Sequence, residues 1–447
     1  MVKNLFISKF NKVHFIGIGG ISTSALARYC LFNGVMVSGS DRSENEETTL
    51  LKSLGALVYV GHKNYLDDDV DAVIYTSAID NDNKELLYAK EHNIKIYKRS
   101  EFLANVVKDF TYSLAVCGSH GKTTSTTMVG EIFIGYKKEP TVFVGGESNL
   151  FGNLNIGKKN LIIVEACEYK KNFLDIKSNS VIVTNIDNDH LDSYSSIDEE
   201  IGCFNKFIEN TICYVNADDE NSKNLHSETC ITYGIENDAY YMAKNLKEEN
   251  GSYSFSVYVG GVRLGRIKLK VKGKYNVYNA LSALAFADQN KIPFHAIKSS
   301  LEGFSGVKRR NEYVGEFNNK KCYCDYAHHP SEIECYIKSL EREEVIIVFQ
   351  PHTYSRTKFL MKDFVKVLSP VENLVIYKTY PAREEFDKDG DAKLLYKNIK
   401  KHNKSILYAS NPSELKGAIN GDNKAKKVCF IGAGDIYDIA VKKIIKN

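Results

Sequence analysis

The chain has 447 residues, of which 43% are hydrophobic and 26% charged, and its formal net charge is +3. This length exceeds what one hydrophobic core usually organises, so we expect three domains, and the ordinary composition excludes a largely disordered chain. A charge so close to balance gives no electrostatic case for nucleic acid or an anionic membrane as a partner, so any anion site must be local.

A first block, residues 13–108, alternates short β-rich runs with helix-like segments. The runs lie at residues 13–16, 35–37, 57–60 and 72–75. Strands that alternate with helices are typical of a parallel sheet. We therefore predict an α/β domain here.

A glycine-rich turn after the first run predicts a diphosphate site. Gly17, Gly19 and Gly20 follow that run directly, and the segment 37–41, whose last residue is Asp41, ends the next predicted strand. This order is that of a dinucleotide fingerprint, except that Ser22 stands at the third glycine position. We expect a diphosphate here rather than NAD. The alternative is a tight βα turn whose glycines serve packing alone.

The second block opens on residues 118–124, which have the composition of a phosphate-binding loop. Gly118 and Gly121 follow an apolar run and precede a helix-compatible segment, so backbone N–H groups can approach phosphate oxygens. We expect Lys122 to contact only the nucleotide, and the Thr123 hydroxyl can ligate Mg²⁺. The first glycine of the common P-loop pattern would fall at Val116, so this loop is shorter than usual.

Two further strand ends in this block carry groups that suit a metal. Glu165 ends the apolar run 161–165, where it either ligates Mg²⁺ or is simply an exposed acid. The segment 184–192 follows the run 181–184 and contains three acids and His190. Such a set holds a metal or pairs with basic residues.

The rest of the second block is predicted from its hydrophobic pattern. The Lys/Glu/Asn-rich tract 244–250 is interpreted as a solvated loop. Residues 252–271 predict two strands that turn at Gly260 and Gly261, and the Ala/Leu-rich residues 277–289 predict a helix.

A third block begins near Tyr313 and is also predicted to be α/β. Apolar residues on one helical face at 333–340 are followed by strand-like runs at 345–349 and at 428–431. The basic triplet 308–310 precedes this block. It is either solvated or neutralises the charge of a transferring phosphoryl group.

Polar residues follow two strands of the third block. Asp325 and His328 lie after the first and suit a ribose contact or a proton transfer. Arg356 lies after the second, where it can bind a carboxylate through two hydrogen bonds.

The ten cysteines are scattered. The closest two, Cys322 and Cys324, have no second pair at the spacing of a zinc site. We therefore expect reduced thiols in the cytoplasm. No apolar run approaches the roughly 20 residues of a membrane span, so no membrane partner is expected. The chain is expected to act as a monomer or homodimer.

The motifs of all three blocks, taken together, resemble those of the Mur ligases and occur in the same order over nearly the whole chain. They are Gly17-Ile18-Gly19-Gly20, Ser38-Gly39-Ser40-Asp41, Gly118-Ser119-His120-Gly121-Lys122-Thr123-Thr124, Glu165-Ala166-Cys167-Glu168-Tyr169, Thr184-Asn185-Ile186 with Asp189-His190, Asn276 with Asn279-Ala280, Lys308-Arg309-Arg310, Asp325-Tyr326-Ala327-His328-His329-Pro330, Phe349-Gln350-Pro351-His352, Ser355-Arg356-Thr357 and Gly432-Ala433-Gly434-Asp435.

The resemblance implies a three-domain α/β architecture. It comprises a Rossmann-like UDP-sugar-binding domain at 1–108, a central P-loop ATPase domain at 109–312 and a Rossmann-like amino-acid-binding domain at 313–447. It further implies that ATP and two Mg²⁺ ions drive the joining of L-alanine to the carboxylate of UDP-N-acetylmuramate, through an acyl phosphate, in peptidoglycan precursor synthesis.

The resemblance also implies roles for individual residues. Those expected around the UDP-sugar are Gly17, Gly19, Gly20, Ser22 and Asp41. Those expected around ATP are Gly118, Ser119, His120, Gly121, Lys122, Thr123, Thr124, Asn276, Asn279, Arg310 and Asp325. The implied metal ligands are Thr123, Glu165 and His190. The implied catalytic set is Lys122, His190, Arg310, His329, His352 and Arg356, with His329 or His352 as the base that deprotonates the amine.

Three alternatives remain at this stage. A sibling ligase that attaches a preformed peptide to the same UDP-sugar would share most of these motifs. A nicotinamide-dependent oxidoreductase would use the glycines at 17–20 but leave Lys122, Glu165 and His190 without a purpose. A nucleotide-binding regulator would lack turnover.

Overall fold

The described part of the chain forms two compact units that carry three β-sheets. The computed structural model describes residues 5–61, 63–76, 79–187, 194–340, 344–382, 384–422 and 424–446. The first unit comprises Met1–Lys247, Tyr253–Lys270 and Tyr275–Ser305, and the second comprises Glu248–Ser252, Val271–Lys274 and Gly306–Asn447. Apart from a few strand-end residues, two of the sheets belong to the first unit and one to the second.

The first sheet is parallel, and its described strands run in the order β3-β2-β1-β4-β5. Its elements are β1 (Lys12–Ile16), α1 (Ile21–Phe32), β2 (Met36–Asp41), α2 (Glu46–Ser53), β3 (Leu57–Val60), β4 (Ala72–Tyr75), α3 (Lys84–Glu91), β5 (Lys95–Lys98) and α4 (Arg99–Val107). The central strand β1 is buried throughout, as expected for a parallel strand covered on both faces. The strand order reverses beside β1, which is where open α/β sheets bind ligands.

The second sheet is larger, and β6 is one of its interior strands. Its elements are β6 (Tyr112–Cys117), α5 (Lys122–Gly135), β7 (Thr141–Ser148), β8 (Gly152–Asn155), β9 (Leu161–Glu165), β10 (Ser180–Val183), α6 (Ile197–Ile208), β11 (Ile212–Asn216), β12 (Thr229–Gly234), β13 (Tyr241–Glu249), β14 (Ser252–Val259), β15 (Val262–Lys272), α7 (Tyr275–Gln289) and α8 (Phe294–Gly303). Strand β6 pairs in parallel with β10 on one side and β9 on the other. The loop after β6 therefore lies beside the ends of both neighbours.

The third sheet forms the core of the second unit. Its elements are β16 (Glu312–Phe317), β17 (Lys320–Asp325), α9 (Pro330–Ser339), β18 (Val345–Phe349), α10 (Tyr354–Phe359), α11 (Met361–Leu368), β19 (Leu374–Tyr377), α12 (Ala392–Lys400), β20 (Leu407–Ala409), α13 (Pro412–Asn420), β21 (Lys427–Ile431) and α14 (Ile436–Asp438), continued by a π-helical segment Ile439–Ile445. The order is β16-β17-β21-β18-β19-β20, and only β16 among these strands runs antiparallel to its neighbour.

The predicted α/β fold is confirmed, with one error in the second block. The tract 244–250 is not a loop, because β13 runs through it as far as Glu249. Its charged side chains are exposed, while its backbone continues β13, which lies between β12 and β14 in the sheet. A strand with solvated side chains has the composition of a loop, which explains the error.

No helix within the described residues is long and apolar enough to cross a membrane. All ten cysteines lie within those residues and are unbridged.

Candidate functional site

The loop after β1 is shaped by hydrogen bonds to the end of β2. The N–H groups of Gly17 and Ile18 both donate to the carbonyl of Ser40, at 2.8 and 3.0 Å. The N–H of Gly19 donates to Oδ2 of Asp41 at 2.8 Å. A Cβ on Gly19 would lie 2.8 Å from the side chains of both Asn45 and Thr48, so a larger residue there would have to displace them. Gly20 then begins α1 as its N-cap, with Ser22 in the first turn.

The phosphate loop after β6 also needs its glycines. Gly118 and Gly121 have φ angles of +118° and +84°, in the left-handed region that favours glycine. A Cβ on Gly118 would lie 2.6 Å from the carbonyl oxygen of Asn185. Asn185 also fixes the loop directly, since its Oδ1 accepts from the N–H of His120 at 2.9 Å. The segment after β10 thus holds the phosphate loop in shape.

The ring of His120 and the hydroxyl of Ser119 are fixed by the same segment. His120 Nε2 lies 3.2 Å from Oδ2 of Asp187, and the Ser119 hydroxyl accepts from the N–H of Asp187 at 2.7 Å. These contacts tie the phosphate loop to the start of the acidic segment that was predicted from the sequence.

Lys122, the first residue of α5, makes contacts that the sequence did not predict. Its Nζ donates to Glu168 Oε1 at 2.7 Å and to the carbonyls of Gly118 and Ser119 at 2.6 and 3.0 Å. Burial would lower the pKa of Lys122, but the fully buried Glu168 more than offsets this and the net pKa is raised. The expectation that Lys122 contacts only the nucleotide is therefore wrong. Its ammonium group is charged and held at the loop.

Thr123 at the start of α5 and Glu165 at the end of β9 bring two oxygen atoms that can ligate a metal close together. The Thr123 hydroxyl donates to Glu165 Oε1 at 3.1 Å, and the N–H of Gly145 donates to Glu165 Oε2 at 2.8 Å. Hydroxyl and carboxylate oxygens are the ligands that Mg²⁺ prefers. These two residues fit the metal that the sequence predicted, beside the phosphate loop.

Helix α7 brings both predicted asparagines to the start of α5. The Oδ1 of Asn279 accepts from Ser125 at 3.2 Å, and Asn279 Nδ2 donates to Oδ1 of Asn276 at 3.0 Å. A Cβ on Gly121 would lie only 2.5 Å from Asn279 Oδ1. Because Gly121 has no Cβ, Asn279 of α7 can pack directly against the phosphate loop.

In the second unit, Asp325 ends β17 and is enclosed by backbone donors. Its Oδ1 accepts from Ala327 N–H and its Oδ2 from Asn311 N–H, both at 2.8 Å. Burial raises the pKa of Asp325 to about 6, against the opposing effects of Arg310 and these donors. The guanidinium groups of Arg309 and Arg310 each lie 5.0 Å from the ring centre of Tyr326.

His352 and Arg356 both follow β18, His352 in the loop after the strand and Arg356 in α10. The rings of His352 and Tyr380 stack at 5.6 Å. Burial, followed by the charges of His328, Arg356 and Arg309, lowers the pKa of His352 to about 3. Among the described residues, the guanidinium of Arg356 has no hydrogen-bond partner, so its donors are available to a carboxylate.

His329 has a structural position in this unit as the N-cap of α9. Its Nδ1 lies 2.7 Å from the hydroxyl of Ser331 and accepts a longer hydrogen bond, 3.4 Å, from the N–H of Ser331. An Nδ1 that accepts leaves the hydrogen of the neutral ring on Nε2.

Comparison with known families accounts for this order of loops and sheets. Residues 12–111 match the family described as Mur ligase family, catalytic domain. Residues 116–287 match the Mur ligase middle domain, and residues 309–434 match the Mur ligase, glutamate ligase domain. The chain belongs to the Mur ligase family. The resemblance seen in the sequence is confirmed, and so is the three-domain Mur ligase architecture.

Similar Mur ligases match almost the whole chain. A UDP-N-acetylmuramate–L-alanine ligase from Aquifex aeolicus is 40% identical over 441 residues, with 96% of each chain covered. A solved UDP-N-acetylmuramate-alanine ligase from Thermotoga maritima has a TM-score of 0.83 at 30% identity and covers 96% of this chain and 97% of its own. A murein peptide ligase from Psychrobacter arcticus has a TM-score of 0.74 at 19% identity, covering 96% and 97%. That last likeness concerns the fold alone.

One predicted site residue of this Mur ligase cannot be placed. His190 lies outside the described residues, as does Asp189 beside it. The roles of all the predicted site residues, among them His190, Ser22 and Thr124, stay predictions, and so do the domain boundaries at 108/109 and 312/313.

Sequence reasoning gave no role to two charged residues near Glu165. Glu168 is fully buried and pairs with Lys122. Arg99 begins α4, and its charge interacts with those of Glu165 and Asp175. Among the described residues the Arg99 guanidinium has no hydrogen-bond partner, so its donors are available to an anion. Glu168 belongs to the motif 165–169 that resembles the Mur ligases, but Arg99 lies in no motif.

The raised pKa of Asp325 predicts how stability depends on pH. The carboxyl is protonated up to about pH 6 in the folded chain but only to about 3.8 when unfolded. Asp325 therefore contributes its full stabilisation below about pH 4, and this stabilisation is lost as the pH rises to about 6. The expected loss is about 3 kcal/mol.

Urea denaturation from pH 4 to 7 checks this against Asp325→Asn, which has no carboxyl at this position. The wild-type free energy of unfolding minus that of the variant should decrease over this range, because all other groups titrate in both proteins. Parallel pH profiles would contradict the assignment.

Proposed function

We propose that this Mur ligase uses ATP and Mg²⁺ to join L-alanine to the carboxylate of UDP-N-acetylmuramate in peptidoglycan precursor synthesis. The observation that carries the proposal is the convergence of Lys122, Thr123 and Glu165 at one edge of the second sheet. The substrates are suggested by the relatives at 40% identity over almost the whole chain.

Physical chemistry requires that the carboxylate be activated. A carboxylate oxygen is a poor leaving group, so an amine does not displace it at neutral pH. Transfer of the γ-phosphoryl group of ATP to that oxygen gives an acyl phosphate, and the amine then displaces phosphate. This transfer depends mainly on positioning and charge neutralisation.

The first unit supplies most of the groups for this transfer. Lys122 holds the β- and γ-phosphates, and the loop 118–121 presents backbone N–H groups to them. Thr123 and Glu165 would hold a first Mg²⁺ and His190 a second, and these ions would neutralise charge on the attacking and leaving oxygens. Asn276 and Asn279 are assigned to the adenine end of ATP.

Residues of the second unit are assigned to the remaining contacts. Arg310 neutralises the γ-phosphate, and Asp325 binds the ATP ribose. Arg356 binds the carboxylate of L-alanine through two hydrogen bonds.

We assign binding roles to the two histidines that were considered as bases. A pKa of about 3 makes His352 a weak base at neutral pH, where efficient proton transfer needs a pKa near the working pH. His329 already accepts on Nδ1 at the start of α9. We therefore propose that His352 and His329 orient the amino acid.

The UDP-sugar is assigned to the loop 17–20, with Ser22 in the first turn of α1. The first turn of a helix after a glycine loop favours a diphosphate. Asp41 shapes the loop by accepting from Gly19.

ADP release tests the proposed activity. We expect release with UDP-N-acetylmuramate and L-alanine together, and little with either alone. Glycine and L-serine measure tolerance for other amino acids. A tripeptide tests the sibling reaction, so release that requires the tripeptide and ignores L-alanine would overturn the proposal.

Borohydride trapping of the acyl phosphate, without amino acid, separates the two steps. Arg356→Ala should still yield trapped product, because it removes a contact to L-alanine, and should raise the apparent KM for L-alanine about 10- to 100-fold. His190→Ala should yield little product, because it would remove a metal ligand from the first step. The opposite pattern would mean that the two roles are exchanged.

A further inference from the structure

A buried acid and histidine lie beneath the glycine loop of the first sheet and have no part in the proposed chemistry. His14 on β1 lies opposite Ser38 on β2, and its Nδ1 is 2.9 Å from the Ser38 hydroxyl. His14 Nε2 is 2.9 Å from Oε1 of Glu85 in the first turn of α3. The Ser40 hydroxyl donates to Glu85 Oε2 at 2.5 Å.

The four residues line one face of the sheet and are almost inaccessible. Ser38 and Ser40 stand two positions apart on β2 and so share a face, which α3 covers. The exposed fractions are 0% for His14, 2% for Glu85 and 3% for each serine. Both carboxylate oxygens of Glu85 are engaged, one by each strand.

The order serine, histidine, acid resembles that of a nucleophilic triad, but burial rules out that role. A nucleophile must reach its substrate, and the Ser38 hydroxyl is enclosed between the sheet and α3. Burying a carboxylate costs desolvation free energy, so buried carboxylates are found where hydrogen bonds satisfy their oxygens. These four residues can therefore act only through the parts of the chain that they contact.

The surroundings of Ser40 are the glycine loop itself. The Ser40 carbonyl accepts from the N–H groups of Gly17 and Ile18, and the next residue, Asp41, accepts from Gly19. Three successive loop amides are thus oriented by the end of β2. Among the residues that the structure describes, the Ser40 hydroxyl bonds only to Glu85.

We propose that the Glu85–His14 pair positions the diphosphate-binding loop through Ser40. The pair is a positioning device, because neither side chain reaches the loop surface. Its ligand class is the diphosphate of a nucleoside diphosphate sugar, so the inference rests on the proposed function of residues 17–20. Ser38 completes the hydrogen bonding of His14 but does not contact the loop.

The two serines provide a matched pair of variants. Ser40→Ala removes the bond to Glu85 and keeps the backbone carbonyl. It should raise the KM for UDP-N-acetylmuramate about tenfold, the size of a lost bond to a charged group. The kcat and the KM values for ATP and L-alanine should not change, because uniform substrate binding is what is lost. Ser38→Ala, equally buried on the same strand, should lower thermal stability and leave all KM values unchanged.

KM remains informative when a variant is partly unfolded, because inactive protein lowers the maximal rate alone. If Ser40→Ala cannot be purified, Glu85→Asp provides a second variant. A carboxylate shortened by one methylene cannot reach both His14 and Ser40, so the same KM should rise.

Gly19→Ala separates this inference from the proposed function. It places a Cβ against Asn45 and should raise the KM for UDP-N-acetylmuramate strongly. If it does and neither Ser40→Ala nor Glu85→Asp has an effect, the positioning role is overturned and the loop assignment stands. An equal rise in Ser38→Ala and Ser40→Ala also overturns it, since general loss of packing would explain both. If Gly19→Ala has no effect, the loop assignment fails and the inference with it.

Discussion

Lys122→Ala should lower the rate of L-alanine-dependent ADP release by about 10²- to 10³-fold or more, the usual cost of losing one charged contact to a reacting group. Lys122 begins α5 directly after Gly121, and its ammonium group is held by Glu168 and two loop carbonyls. The same variant should also be less stable than the wild type, because the buried Glu168 would lose the ammonium group with which it forms an ion pair.

A double variant separates the two effects of this change. Lys122→Met with Glu168→Gln removes both charges, so most of the lost stability should return while ADP release stays low. Lys171→Ala is the matched control, because the ammonium group of this partly exposed lysine pairs with Glu199 and not with a residue of the loop. Near-wild-type ADP release by Lys122→Ala would refute the phosphate-loop assignment.

Arg310→Ala is expected to lower kcat by about 10³-fold or more, as is found when an arginine that stabilises a transferring phosphoryl group is removed. Arg310 lies beside Asp325 and over the ring of Tyr326. The effect should fall on kcat, because the charge it would neutralise develops in the transition state. Single-turnover phosphate release measures it.

Arg309→Ala is the control, because the two neighbouring guanidinium groups lie equally far from the Tyr326 ring. Arg309 donates to the carbonyl of Gly434 at 2.8 Å and also lies over Tyr437. Its loss should destabilise the second unit by about 1–3 kcal/mol and change kcat less than about tenfold. An equal fall in kcat for both variants would contradict the specific role of Arg310.

Apolar patterning predicted the interior strands of the fold well and its polar strands poorly. The runs at 13–16 and 72–75 fall in β1 and β4, because a strand buried between parallel neighbours must be apolar or β-branched. The run at 57–60 coincides with β3, an edge strand whose four residues happen to be apolar or aromatic although none is fully buried. Strand β5 was missed. It lies at an edge of the first sheet, and the lysines at its two ends are exposed, as is common in edge strands. Because only two of its four residues are apolar or aromatic, the sequence does not show a continuous apolar run there.

Local motifs predicted the parts of the site that lie on one loop. The glycines at 118 and 121 and the adjoining Lys122 are neighbours in sequence, so their spacing indicates their chemistry. Glu165 was found because strand ends of open sheets gather at one edge.

Long-range partners were beyond sequence reasoning. Glu168 meets Lys122 across 46 residues, and Glu85 meets His14 across 71. Such pairs arise from how helices pack on the sheet, and a single sequence contains no periodic signal for them. The burial of Glu168 and Glu85 is equally unpredictable, because isolated acids are usually exposed.

The crowding around the phosphate-loop glycines limits how this protein can evolve under selection by a drug. Any side chain at position 121 would strike Asn279, and any at 118 would strike the backbone of Asn185. An inhibitor that binds only the backbone amides of this loop therefore faces two positions where a single codon change also damages the loop. Resistance would have to arise at the exposed margins, where an inhibitor can be designed to make no contact.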